Sequence, residues 1–84
     1  MYTSIPAITG KQLIGLLQKD GWVIGRKARH GMTLRKHIGN RTRVTFVPDT
    51  RVSLPVGTLR AILSAKQAGL GKNGLLKLLN KYGI

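Results

Sequence analysis

Fifteen Lys and Arg residues share a chain of 84 with two acidic side chains, Asp20 and Asp49, which leaves a formal net charge of +13. A compact fold with that imbalance repels itself, and an anionic partner relieves the repulsion. Nucleic acid, an anionic membrane surface and an acidic protein are the three candidates. Where the cations fall along the chain separates them.

Apolar residues make up 42% of the chain, a normal share for a folded domain and too large for a disordered polybasic tail. One small basic domain spanning 1–84 is expected, with a short leader at 1–7. Its core is thin, burying roughly 60% of the unfolded-state surface. Cysteine is absent, so neither disulfides nor thiolate metal sites support the fold, and the composition suits a reducing, cytoplasmic setting. The N-terminal residues lack a basic n-region and Gly15 interrupts the early apolar stretch, so no secretory signal is expected. No run approaches the roughly 18 apolar residues that a membrane span requires.

Thr9 and Gln12 have the spacing of a capping box, and Ile8 and Leu13 that of a hydrophobic staple. Leu13, Ile14, Leu16 and Leu17 fall on one side of a helical wheel, and Gly21 suits a C′ position. A helix over 10–20 follows. Leu54-Pro55 opens a second helix, with Val56, Leu59, Ile62 and Leu63 as its buried stripe and Gly69 as its end. A third, over 73–82, carries Leu75, Leu76, Leu78, Leu79 and Tyr82, and Gly83 follows it.

Trp22 to Lys27 turns from apolar to basic and reads as a strand. Met32, Leu34 and Lys36 alternate with Thr33, Arg35 and His37 in a second strand. Thr42 to Val47 forms a third, stopped by Pro48 and Asp49. Gly39-Asn40 invites a two-residue hairpin turn. That register puts Met32 and Leu34 on the face opposite Val44 and Phe46. A three-residue loop over 39–41, pairing Leu34 with Phe46, restores one apolar face and is the expectation. The predicted order is α-β-β-β-α-α. This is an α+β fold, a three-stranded antiparallel sheet with helices on one face and the other open to solvent.

Arg26, Lys27, Arg29, Arg35, Lys36, Arg41 and Arg43 place seven cations in 18 residues with no acid among them. A solvated polar face normally mixes signs, and this stretch does not. Carried on strands rather than on the polar faces of helices, the charge fits phosphate binding and disfavours a membrane-active helix. Neutralising roughly five phosphates of single-stranded RNA gives a slope of log affinity against log salt of about −3.5.

His30 lies in the middle of this run, within Arg26-Lys27-Ala28-Arg29-His30-Gly31, at the turn entering the second strand. A surface His alone is more often an ordinary polar residue than a catalyst. Set among cations that hold phosphate, an imidazole that changes charge near neutrality can move a proton. Lys27 and Arg29 can stabilise charge growing on phosphorus. His37 is sent to the solvent face farther along the strand and is at most a substrate contact.

Two carboxylates far apart in sequence do not make an acidic metal-ion nuclease centre, and two His without Cys are weak evidence for zinc. Gly69-Leu70-Gly71-Lys72 lacks the spacing of a phosphate loop. The residues call for no metal or cofactor. RNA suits them, because its own 2′-hydroxyl can serve as the nucleophile.

Several segments occur in a telling order: Thr9-Gly10-Lys11-Gln12-Leu13-Ile14, Leu17 through Asp20-Gly21-Trp22, and the basic hairpin with His30. Val44-Thr45-Phe46-Val47-Pro48, Gly57-Thr58-Leu59-Arg60-Ala61-Ile62-Leu63 and Ala68-Gly69-Leu70 follow. With these the chain resembles the HicA family of toxin proteins, from Thr9 to the C-terminus. The resemblance implies a fold like the double-stranded RNA-binding domain, endoribonuclease activity on mRNA, and a HicB-like antitoxin that blocks the active site. It gives His30 the catalytic role, and the basic run read above supplies the RNA-binding residues Arg26, Lys27, Arg29, Arg35 and Lys36. The family carries a Gly-Ser-His-like turn where this chain has Ala28-Arg29-His30 followed by Gly31. Ala28 gives up the backbone freedom of Gly, and Arg29 exchanges a small hydroxyl for a cation. A non-catalytic RNA-binding module is the alternative reading of the same charge.

Overall fold

The first helix forms where local chemistry places it. In a computed structural model describing residues 2–84, α1 spans Gly10–Lys19. Both halves of the capping box are made: the Gln12 amide donates to Thr9 Oγ1 at 3.1 Å, and the Thr9 amide donates to Gln12 Oε1 at 3.0 Å. At the other end Gly21 takes a φ of 97°. Its amide donates to the Gln18 carbonyl while the Trp22 amide donates to Leu17, the paired bonds of a Schellman motif. Ile8, Leu13, Leu16 and Leu17 are all buried, and Trp22 joins them directly after the helix. Met1, the first residue of the expected leader at 1–7, lies outside the described residues. Tyr2 is held near the C-terminus through its amide and carbonyl, which both bond the Asn80 side chain.

Three strands follow: β1 Val23–Ala28, β2 Gly31–Ile38 and β3 Arg41–Pro48, paired antiparallel in the order β1-β2-β3. Then come α2 Val56–Leu63 and α3 Gly71–Tyr82, so the order is the predicted α-β-β-β-α-α. Both α1 and α2 pack on β3 and on α3, which gathers Leu34, Val47, Leu59, Ile62, Leu75 and Leu79 into one core. No helix among the described residues is long and apolar enough to cross a membrane.

The hairpin between β2 and β3 departs from expectation. Gly39-Asn40 makes a two-residue turn closed by Ile38 and Arg41, so Leu34 pairs with Thr45 and not with Phe46. Gly39 has a φ of 62°, and Gly in the first central position is the order of a type II′ turn. The expected three-residue loop rested on keeping Phe46 and Val44 inside. Thr45 is buried in their place, at 1% exposure, because its hydroxyl donates to Gln67 Oε1 at 2.8 Å. A buried hydroxyl with a partner is tolerable, and the partner comes from a distant loop.

The second correction concerns α2. It ends at Leu63 rather than near Gly69. Ser64 leaves the helix with extended backbone, and its hydroxyl bonds the Ala61 carbonyl at 2.7 Å, the local competition that makes Ser a helix breaker. Residues 64–69 turn back, with the Gly69 amide donating to Ser64 and the Arg43 guanidinium bonding the Ala65 carbonyl. This turn is what delivers Gln67 to Thr45.

Both acids are spent on architecture. Lys11 pairs with Asp49 at 2.8 Å, fixing the start of α1 to the end of β3. Lys36 pairs with Asp20 at 3.0 Å and also bonds the Asp20 carbonyl, fixing the end of α1 to β2. The rest of the basic excess meets no side-chain carboxylate among the described residues.

Candidate nucleic-acid interface

The strand register sorts the cations by face. Successive side chains of a strand point to opposite faces, and paired residues share one. Across the helix-free face, Val23, Arg35 and Val44 form one row, Arg26, Thr33 and Phe46 the next, and Ala28, Gly31 and Pro48 the last before the first turn. Arg26 reaches this face only because the pairing slips at Gly25, which has no partner of its own. Without that bulge Arg26 would fall on the same side as Ile24. Re-aiming a side chain is what such bulges do.

His30 and Arg29 form the two-residue turn between the paired Ala28 and Gly31. No non-glycine residue among those described has a positive φ, so the turn needs no left-handed backbone. Ala28 and Arg29 therefore fit it as they stand. The His30 carbonyl accepts a hydrogen bond from the Asp49 amide at 3.2 Å, and Asp49 is the partner of Lys11. His30 thus sits where the first hairpin, the end of β3 and the start of α1 converge, and it is exposed.

The sequence-derived cations separate into two groups. Arg26, Arg29 and Arg35 are exposed on the open face or at its His30 end. Lys27 pairs with Met32 and so belongs to the opposite side, on the exposed edge strand β1. Lys36 lies on that side too, committed to Asp20 and the end of α1. His37 is on the open face and bonds Thr42, Nδ1 to Oγ1 at 2.8 Å. Seven residues along the strand from His30, it stands about 20 Å away at the far end.

Phe46 escaped the sequence reading, which turned it inward. It is 42% exposed, and it shares the open face with Val23 at 56% and Val44 at 48%. The signal that could have found it was Gly39-Asn40, whose turn fixes the register. The ring leans along the sheet toward the His30 turn: a Cβ on Gly31 would lie 2.6 Å from Phe46 Cζ. A cavity of about 630 Å³ lies elsewhere, between the N-terminal segment around Ile5 and the α2 residues Leu59 and Leu63, and holds none of these side chains.

A three-stranded sheet, covered by helices on one side and bare and basic on the other, defines a small cationic α+β domain with an exposed His at one end of its bare face. The family model described as HicA toxin of bacterial toxin–antitoxin matches residues 10–70, from the first residue of α1 to the residue before α3. The chain belongs to this family and is the toxin of a toxin–antitoxin pair. Comparison with curated proteins and with solved structures gave no match.

Proposed function

We propose that this toxin is an endoribonuclease that cleaves mRNA without a metal ion, using His30 for proton transfer and Arg26, Arg29 and Arg35 to hold the phosphates. The observation that carries the reading is an exposed His in the turn at one end of the sheet face that bears Arg26 and Arg35, neither of them in an ion pair. The RNA 2′-hydroxyl attacks the adjacent phosphorus, the bond to the 5′-oxygen breaks, and a 2′,3′-cyclic phosphate and a 5′-hydroxyl result. One proton leaves the 2′-oxygen and one reaches the 5′-oxygen, and His30 carries one or both transfers. Arginine forks beside the phosphate stabilise the charge that builds on it. Lys27, on the β1 edge, extends the phosphate track, while Lys36 serves the joint between α1 and β2.

The partner in this reading is a HicB-like antitoxin that covers His30 and sets carboxylates against the open-face arginines. Co-expressed toxin and antitoxin should elute from size exclusion as one species. Separate elution at micromolar concentrations contradicts that part.

Incubating the protein with a transcript and with its all-2′-deoxy counterpart, both in EDTA, tests the reaction. Cleavage of the RNA alone, leaving cyclic phosphate ends, is expected. Salt-sensitive binding without cleavage overturns the nuclease reading and leaves an RNA-binding module.

A further inference from the structure

The open face carries a feature that phosphate binding does not use. Phe46 is a large aromatic side chain on the solvent side of the sheet, in the row Arg26-Thr33-Phe46, with Arg26 two strands away. Two strand spacings put the two residues about 10 Å apart. Arg35 stands in the adjoining row between Val23 and Val44. The ring does not lie loose: it rests over Gly31, the residue after His30, in space that a Cβ would occupy. Core packing does not account for the residue, because the core lies on the other side of the sheet, with Leu34 and Val47 fully buried there.

We infer that Phe46 is a base-stacking platform that seats one unpaired nucleobase of the RNA beside His30. This rests on RNA being the substrate and adds what recognises it. A nucleobase offers a flat π face to the ring, and its flanking phosphates meet Arg26 and Arg35. Neither acid lies in the face's three cross-strand rows, and both are held in ion pairs with lysines, so a polyanion meets no carboxylate of those rows. Duplex RNA hides the flat faces of its bases, whereas single strands present them to aromatic side chains. The site therefore selects single-stranded over duplex RNA. Phe46 is a positioning residue: it holds the nucleotide, and His30 moves the proton.

The test uses His30→Ala protein, so that RNA survives, and a short single strand carrying 2-aminopurine, with inorganic polyphosphate as a ligand that has charge but no bases. Adding Phe46→Leu should weaken RNA binding by about 5- to 150-fold, the range for loss of one base–aromatic stack. The 2-aminopurine quenching should disappear and polyphosphate affinity should stay the same. Phe46→Trp should keep both RNA affinity and quenching. Unchanged RNA affinity in Phe46→Leu overturns the platform, as does an equal loss on polyphosphate. A Phe46→Leu protein that keeps RNA but no longer co-elutes with its antitoxin also overturns it, and makes the face a protein-docking surface. If the wild type cleaves RNA while Phe46→Leu binds it normally, the platform alone falls. If no variant binds RNA, the nuclease reading falls with it.

Discussion

The ring of Phe46 occupies the space above Gly31 that a side chain there would fill: a Cβ on Gly31 would stand 2.6 Å from Phe46 Cζ and 2.5 Å from the Val47 carbonyl oxygen. The residue after His30 is therefore small for a reason that lies on the neighbouring strand. Gly31→Ala must displace both the ring and a backbone carbonyl. It should cost about 1–3 kcal/mol, as overpacking does, read from urea unfolding. Adding Phe46→Ala should recover part of the loss, since the carbonyl still obstructs. Wild-type stability in Gly31→Ala would mean that the ring does not rest there.

Gly10 is tighter still, because a Cβ there would overlap the Pro48 carbonyl oxygen, with backbone on both sides of the contact. Gly10→Ala should destabilise by about 3 kcal/mol or more. Gly15, in the same helix, has nothing within 4 Å of its hypothetical Cβ. Gly15→Ala should stabilise by about 0.5–1 kcal/mol through helix propensity. Opposite signs for the same substitution five residues apart, measured by thermal or chemical denaturation, check how α1 docks on β3.

Gln67 holds a buried hydroxyl and the Phe46 amide together: its Oε1 accepts from Thr45 Oγ1 at 2.8 Å and from the Phe46 amide at 3.3 Å. Gln67→Ala should cost about 1–3 kcal/mol by stranding Thr45. Thr45→Val in that background should restore part of it, and a double-mutant cycle measures the coupling. Additive effects would show that the hydroxyl is satisfied some other way.

Arg35 and Lys36 are neighbours in sequence with opposite assignments. Arg35→Gln should lower the magnitude of the salt slope for single-stranded RNA by about 0.7, the value for one lost phosphate contact. Lys36→Gln should leave the slope unchanged and lower stability, since it strands the part-buried Asp20 carboxylate. RNA titrations at several salt concentrations, paired with melting curves, separate the two. The reverse pattern would move the interface to the helix-bearing side.

The sequence was most legible where the deciding contacts were local. Thr9 and Gln12 are three residues apart and make their two bonds within one turn, so the start of α1 could be read directly. Leu17, Gly21 and Trp22 fix its end in the same way. The β2–β3 register was misread because the residue that makes Thr45 acceptable in the core is Gln67, 22 positions away. An apolar-in, polar-out rule has no means of foreseeing that partner. The same rule hid Phe46, and with it the aromatic half of the open face. At the candidate site, the clustering of His30 with cations was visible in the chain. Which cations face the same way was not, since a single slip at Gly25 puts Arg26 rather than Lys27 on the open face, and Asp20 draws Lys36 away.

In the proposed reaction His30 carries a proton beside the bound phosphate. The direct measurement is the cleavage rate of one defined transcript in EDTA by the wild type and by His30→Ala, with matching melting curves. A loss of about 10²–10⁴-fold in the variant is predicted. Cleavage by His30→Ala at the wild-type rate would contradict it.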